Sequence, residues 1–139
     1  MRRVNAFIDG KAEETANAAI DGRIYPEVYI CSPYAGNVEK NVKAAIRYSQ
    51  FVIGKGYMPV ASHLLYPQIL DDSDKFEREL GLAFGICLLE SCLEVWVFAD
   101  TDDDISAGMK QEIEAAKERG MPVRYFKSDL TERGGNYDG

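Results

Sequence analysis

The chain has 139 residues, 46% hydrophobic and 28% charged, the composition of one soluble globular domain with a real core. Its net charge of −7, with no Lys/Arg cluster, argues against polynucleotide binding but leaves a small anionic ligand at a helix N-terminus open. No apolar run approaches a membrane span, and the basic start "MRRVNAFIDGKAEET" leads into no apolar stretch of the kind a signal peptide needs.

Residues 1–26 read as an N-terminal extension, with a short helix around "AEETANAAI" and Pro26 as punctuation. A regular rhythm follows. "EVYICS" (residues 27–32) is β-rich, and "PYAGN" is turn chemistry. "VEKNVKAAIRYSQFVIGKG" places Val38, Val42, Ala45, Ile46, Val52 and Ile53 at helical spacing, with Asn37 as N-cap and Gly54 or Gly56 as the stop. "YMPVAS" reads as a second strand, and "HLLYPQILDDSD" as a loop that Asp74 ends as a helix cap. "KFERELGLAFGICLLESC" is helical, with Phe76, Leu80, Ala83, Phe84, Cys87 and Leu88 as its apolar stripe. "LEVWVFA" is a third strand, apolar enough for burial on both faces, with Trp96 in the sheet core. After the acidic loop "DTDDDISAG" come a last helix and the strand "MPVRYF"; residues 128–139 form a polar, loose C-terminal tail.

Strand alternating with helix predicts an α/β domain over residues 27–127, three layers with a parallel sheet of about four or five strands. Ligands of such sheets bind at the carboxyl ends of the strands, where strand order reverses. The loops to inspect are therefore residues 32–37, 62–74 and 100–109 and the start of the tail. Cys31, Cys87 and Cys92 are odd in number and match no metal spacing; they read as reduced, buried thiols of a cytoplasmic protein. With a single histidine in the chain, no metal site and no cofactor are expected.

In the last helix, Met109, Ile113 and Ala116 face the sheet and Glu112 lies one step to their side. Its neighbours three and four residues away are Gly108, Met109, Ala115 and Ala116, so no ion pair along the helix holds it. Glu114 has Lys110 and Lys117 in reach and reads as a surface residue. The spacing fits either a carboxylate that serves as nucleophile or base at the ligand edge, or one that merely favours the helix dipole.

The quoted segments, taken in order, resemble the nucleoside 2-deoxyribosyltransferase superfamily, a compact Rossmann-like group, and more closely a branch of it found in bacteria and phages. That branch reads "SPY-G…N" after the first strand, "P-A-H" after the second and "S-GM--EI--A" at the last helix; this chain has "CSPYAGNVEKN", "PVASHLLYPQILDD" and "ISAGMKQEIEAA". The likeness covers roughly residues 27–127. It implies that Glu112, in a motif of the form G-[T/M]-x-x-E-x-G-x-A, is the nucleophile that attacks the anomeric carbon and forms a glycosyl ester. It implies Gly108 and Met109 beside the substrate, a nucleoside or nucleotide as the small-molecule partner, no metal or cofactor, and a homo-oligomer whose pocket a neighbour completes. Two positions depart from the motif: Ser106 stands where the family has an aspartate, and Glu114 where it has a glycine.

The remaining candidates each carry two readings. Ser32, Tyr34, Gly36 and Asn37 form either a phosphate- or sugar-holding loop or a plain tight turn with a capping Asn. His63 is either a pocket residue or a hydrogen-bonded structural histidine. Asp72, Asp102, Asp71 and Asp100 compete for the role of acid to the leaving base, and each reads equally as a loop solubiliser or cap. Ser106 shapes the pocket, and Arg78 either reaches an anion or pairs with a neighbouring Glu. The function expected is N-glycosidic cleavage or deoxyribosyl transfer, with a nucleotide-binding module without turnover, or a partner-binding domain with a vestigial pocket, as alternatives.

Overall fold

The computed structural model describes residues 25–134. The helix expected around "AEETANAAI" lies outside them. Strands β1 (Glu27–Cys31), β2 (Met58–Val60), β3 (Glu94–Phe98), β4 (Val123–Phe126) and β5 (Glu132–Arg133) form one sheet in the order β2-β1-β3-β4-β5. The first four run parallel and β5 pairs antiparallel with β4. Helices α1 (Val38–Gly54), α2 (Lys75–Glu90) and α3 (Ala107–Glu118) are the crossovers. After β1 the chain steps outward to β2, then returns to the other side of β1 for β3. Strand order therefore reverses between β1 and β3, and that reversal opens a crevice at their carboxyl ends.

The period-2 pleat divides β1 between two cores. Val28 and Ile30 face α1 and join Tyr48, Phe51, Val52, Trp96, Phe98 and Phe126. Tyr29 and Cys31 face α2 and α3 and join Leu89, Val95, Val97, Met109, Ile113 and Ala116. The α1 face is mostly aromatic: Tyr48 stacks on Phe98 at 4.2 Å between ring centroids, and Phe51 meets Phe126 edge-on at 5.3 Å. The α2/α3 face carries the polar groups.

Each helix starts on a side-chain cap, as the sequence predicts for two of them: Asn37 accepts from Lys40 N–H, Asp74 from Glu77 N–H, and Ser106 from Met109 N–H. Three expectations are corrected. The stripe Phe76, Ala83, Phe84 and Cys87 of α2 does not face the sheet; it is exposed, and Gly85 and Leu89 are the helix's buried residues. Gly85 on the inner side lets α2 sit close over the Tyr29, Glu112 and Ser62 oxygens, and the bulkier apolar positions lie outward. Cys87 is thus an exposed thiol, while Cys31 and Cys92 are buried. The first part of the tail is not loose: Asp100 accepts from Ser128 N–H at 2.7 Å, and β5 pairs with β4.

Candidate functional site

A cavity of about 410 Å³ opens at the carboxyl ends of β1, β2 and β3, between α2 and the start of α3. That volume is within the range of small-molecule pockets, roughly 300–1,000 Å³. Its floor is Glu112. The side chain leaves the second turn of α3 toward Tyr29 of β1 and is 4% exposed. The Tyr29 hydroxyl donates to Glu112 Oε2 at 2.6 Å. No cation pairs with this carboxylate among the described residues. Burial pushes the Glu112 carboxyl up to about 7, against the hydrogen bond from Tyr29 and the nearby Cys31 thiol, which pull it down. Burial first, and then the facing carboxylate, raise the Tyr29 hydroxyl well above its ordinary range, so it stays a donor at neutral pH. The Cys31 thiol is raised in the same way and stays protonated.

One wall is α2. Gly81 borders the cavity, and Gly85, four residues further along the same helical face, lies against the Tyr29–Glu112 pair beneath it. A Cβ on Gly85 would lie 3.0 Å from the Tyr29 hydroxyl, 3.3 Å from Glu112 Oε2 and 3.4 Å from Ser62 Oγ. Glycine is needed there for close approach. The opposite wall is the first turn of α3, where Ser106, Gly108 and Met109 border the cavity. The Ser106 hydroxyl is occupied as the cap, accepting from Met109 N–H at 3.3 Å.

The roof combines Tyr34 and His63. Their rings lie 5.1 Å apart at 33°. Asn41 donates to Tyr34 O and Ala35 O, both at 2.9 Å, which pins the loop and turns Tyr34 to the crevice. His63 Nε2 lies 2.9 Å from the Ser32 carbonyl, which can only accept, so Nε2 carries the proton. Burial lowers the His63 pKa, so the ring is neutral at pH 7 and Nδ1 keeps its lone pair. Ser32 is 1% exposed, and its Oγ has no hydrogen-bond partner among the described residues. Asp72 is exposed at the mouth, where Arg78 Nη1 donates to its backbone oxygen at 3.1 Å.

The fold therefore brings Glu112, Asp72, Ser32, Tyr34, His63, Ser106, Gly108 and Met109 to one cavity. Three expected residues stand elsewhere. Asp102 is corrected as an acid: Oδ1 accepts from Arg133 Nη1 at 3.0 Å, away from the cavity, because β5 brings Arg133 back over the β3 loop. Gly36 and Asn37 are corrected as ligand residues: Gly36 has φ +92° and makes the turn, and Asn37 caps α1 at the exposed end of that turn. Asp71 and Asp100 do not border the cavity, and hydrogen bonds from Ser73 and Ser128 hold their carboxyls below the usual range. Glu114 lies on the exposed side of α3, so the charge at the motif's glycine position does not enter the cavity.

Tyr29, Ser62 and Gly85 escape sequence reasoning. Their signals are faint but physical: a tyrosine inside an otherwise apolar buried strand needs a hydroxyl partner, and paired glycines in a helix interior need a reason for their cost. Among the described residues no three His, Cys, Asp or Glu side chains converge as a metal site requires, and no helix is long and apolar enough to cross a membrane.

A family model described as "Domain of unknown function (DUF7768)" matches residues 26–126. No protein of curated function matches the sequence. Among solved structures, the fold is similar to that of a 2-deoxyribosyltransferase from the psychrotolerant bacterium Bacillus psychrosaccharolyticus. The TM-score is 0.59 over 73% of this chain and 72% of that one, at 15% sequence identity. The likeness establishes the Rossmann-like α/β fold of that group.

Proposed function

The chain belongs to the DUF7768 family, and we propose that it breaks or transfers the N-glycosidic bond of a nucleoside or nucleotide, with Glu112 as nucleophile. The observation that carries this reading is a carboxylate buried at the floor of an open cavity, held by tyrosine O–H and by no cation among the described residues. A purely structural carboxylate in such a place would cost stability to no purpose. The solved relative is named as a 2-deoxyribosyltransferase, and the same chemistry suits the groups found here.

In the proposed reaction, a Glu112 oxygen attacks C1′ of the sugar. The C1′–N bond breaks, its electron pair leaves with the base, and a glycosyl ester forms on Glu112. Asp72 is the one acidic candidate of the loops that borders the cavity, and it is assigned to protonate the departing base. Water or a second base then attacks C1′ and releases the carboxylate. Tyr29 donates to the same carboxylate oxygen throughout and supports its negative charge as it returns. Tyr34 and His63 offer ring faces for the base. The first turn of α3 offers backbone N–H groups to the sugar or to a 5′ anion.

The proposal includes assembly with further copies of the chain. Ile69, Phe76 and Phe84 are 66%, 71% and 36% exposed, and the Tyr66–Phe84 ring contact joins this apolar strip to the cavity rim.

A second reading, binding without turnover, is favoured by Ser106, whose hydroxyl is spent on the helix cap where a sugar-orienting carboxylate is absent. One experiment separates the two. The protein is incubated with a panel of deoxynucleosides, ribonucleosides and their 5′-monophosphates, and free base is followed by chromatography. Release that is lost in Glu112→Ala supports cleavage; binding of the same compounds without release supports the second reading; the absence of both release and binding sinks both.

A further inference from the structure

We infer that Ser62 is a positioning residue for Glu112 that acts through Tyr29: its hydroxyl donates to the Tyr29 oxygen and thereby strengthens the Tyr29 bond to the carboxylate. The inference deepens the glycosidic reading and rests on it only for its effect on rate; the geometry stands without it.

Two distances define the relay. Ser62 Oγ lies 2.8 Å from the Tyr29 hydroxyl oxygen, and that hydroxyl lies 2.6 Å from Glu112 Oε2. A phenol has one hydrogen. Facing an ionised carboxylate, which can only accept, Tyr29 spends that hydrogen on Glu112. The Ser62–Tyr29 bond then has one possible direction, with serine as donor. All three groups are buried: Tyr29 at 0% exposure, Glu112 at 4% and Ser62 at 6%. In such a low-dielectric place each bond polarises the next, so a donor to tyrosine makes tyrosine a better donor to the carboxylate.

The backbone is arranged to hold this chain. Ser62 opens a short 3₁₀ turn (Ser62–Leu64) directly after β2, Tyr29 comes from β1 and Glu112 from α3, so three separate elements converge. Gly85 of α2 closes the fourth side, with its missing Cβ within 3.4 Å of all three oxygens. A side chain on α2 at that point would press on the relay and require its oxygens to give by a few tenths of an ångström. His63, next in sequence, is turned to the Ser32 carbonyl, so the 3₁₀ turn sends one residue to the relay and the next to the cavity roof.

The test reads the carboxyl group itself. Glutamate labelled with ¹³C at the carboxyl carbon is incorporated, and the Glu112 signal, assigned by its loss in Glu112→Gln, is titrated by NMR in the ligand-free protein. Ser62→Ala is expected to raise the Glu112 midpoint by about 0.3 unit, the share a second bond in a chain adds to the first, and Ser62→Thr to restore it. Tyr29→Phe is expected to raise it further, and adding Ser62→Ala to Tyr29→Phe to change nothing more. A midpoint unmoved or lowered in Ser62→Ala overturns the inference, and so does a Ser62 effect that persists without the tyrosine hydroxyl. Should Ser62→Ala not fold, Ser62→Thr and Ser62→Gly titrated beside wild type read the same difference. If these shifts are found while no nucleoside or nucleotide is cleaved, the relay stands and the glycosidic reading falls.

Discussion

Glu112→Gln is expected to make the protein more stable at pH 8 while abolishing base release. The carboxyl titrates near 7 in the folded chain, against an ordinary value of 4.5. Because the folded value is the higher one, the native state keeps a proton that the unfolded chain has already lost. Folding stability from this group is therefore present below about pH 4.5 and falls as pH rises toward 7. Two and a half units at about 1.4 kcal/mol each amount to about 3 kcal/mol, or about 10 °C in Tm for a chain of this size. Glutamine keeps an acceptor for Tyr29 O–H and has nothing to titrate. Urea unfolding of wild type and variant at pH 5 and pH 8 checks this, with the double difference cancelling every other titrating group. Since part of the effect is already lost at pH 5, the variant is expected to gain about 2.5 kcal/mol on wild type between the two pH values. A double difference below about 0.5 kcal/mol, or a variant weaker at pH 8 than at pH 5 relative to wild type, would refute the claim that an unpaired buried charge sits at the cavity floor.

Gly85→Ala sets two effects against each other. An interior helix position gains up to about 1 kcal/mol on replacing glycine by alanine, yet the new methyl would stand 3.0 Å from the Tyr29 oxygen. The expected outcome is a Tm within a few degrees of wild type in a differential scan and base release down by at least about tenfold, since one misplaced hydrogen bond of about 1.4 kcal/mol is a factor of ten. Phe76→Asp, placed on the exposed strip of α2, is expected to lower the molar mass seen by light scattering and leave the circular dichroism spectrum unchanged; an unchanged mass removes that strip from the assembly surface.

The parts of the site that could be read from sequence are those that depend on local periodicity. Glu112 stood out because no charge lies three or four residues away, and the structure shows where the side chain goes instead: across the sheet edge to Tyr29. The caps Asn37 and Asp74 were legible for the same reason, since capping is a matter of three residues. The crevice followed from strand–helix alternation alone. Asp102 was not legible, because its partner Arg133 is 31 residues away on a strand of two residues that carries no period. The inner face of α2 was misread for a related reason. Its apolar positions run around most of the helix, and periodicity cannot say which of two apolar sides packs when the buried one is led by glycine.

The two faces of the sheet divide the work of the fold. On the α1 side, Trp96, Phe98 and Phe126 pack with Tyr48 and Phe51, a dry aromatic layer with Val52 and Ile30 fully or nearly fully buried. Groups of that size contribute about 1.5–3 kcal/mol each when removed from water. On the other side, Tyr29, Ser62 and Glu112 replace apolar atoms with a chain of oxygens, and Gly81 and Gly85 replace side chains with space. Both substitutions are unfavourable to folding. β1 connects the sides through its alternation: Val28 and Ile30 anchor the strand in the aromatic layer, and Tyr29, between them, faces Glu112 on the other side. A donor held in place is what the proposed nucleophile would need as its charge is spent and restored. The stability of the aromatic face thus offsets the cost of burying an acid on the opposite one.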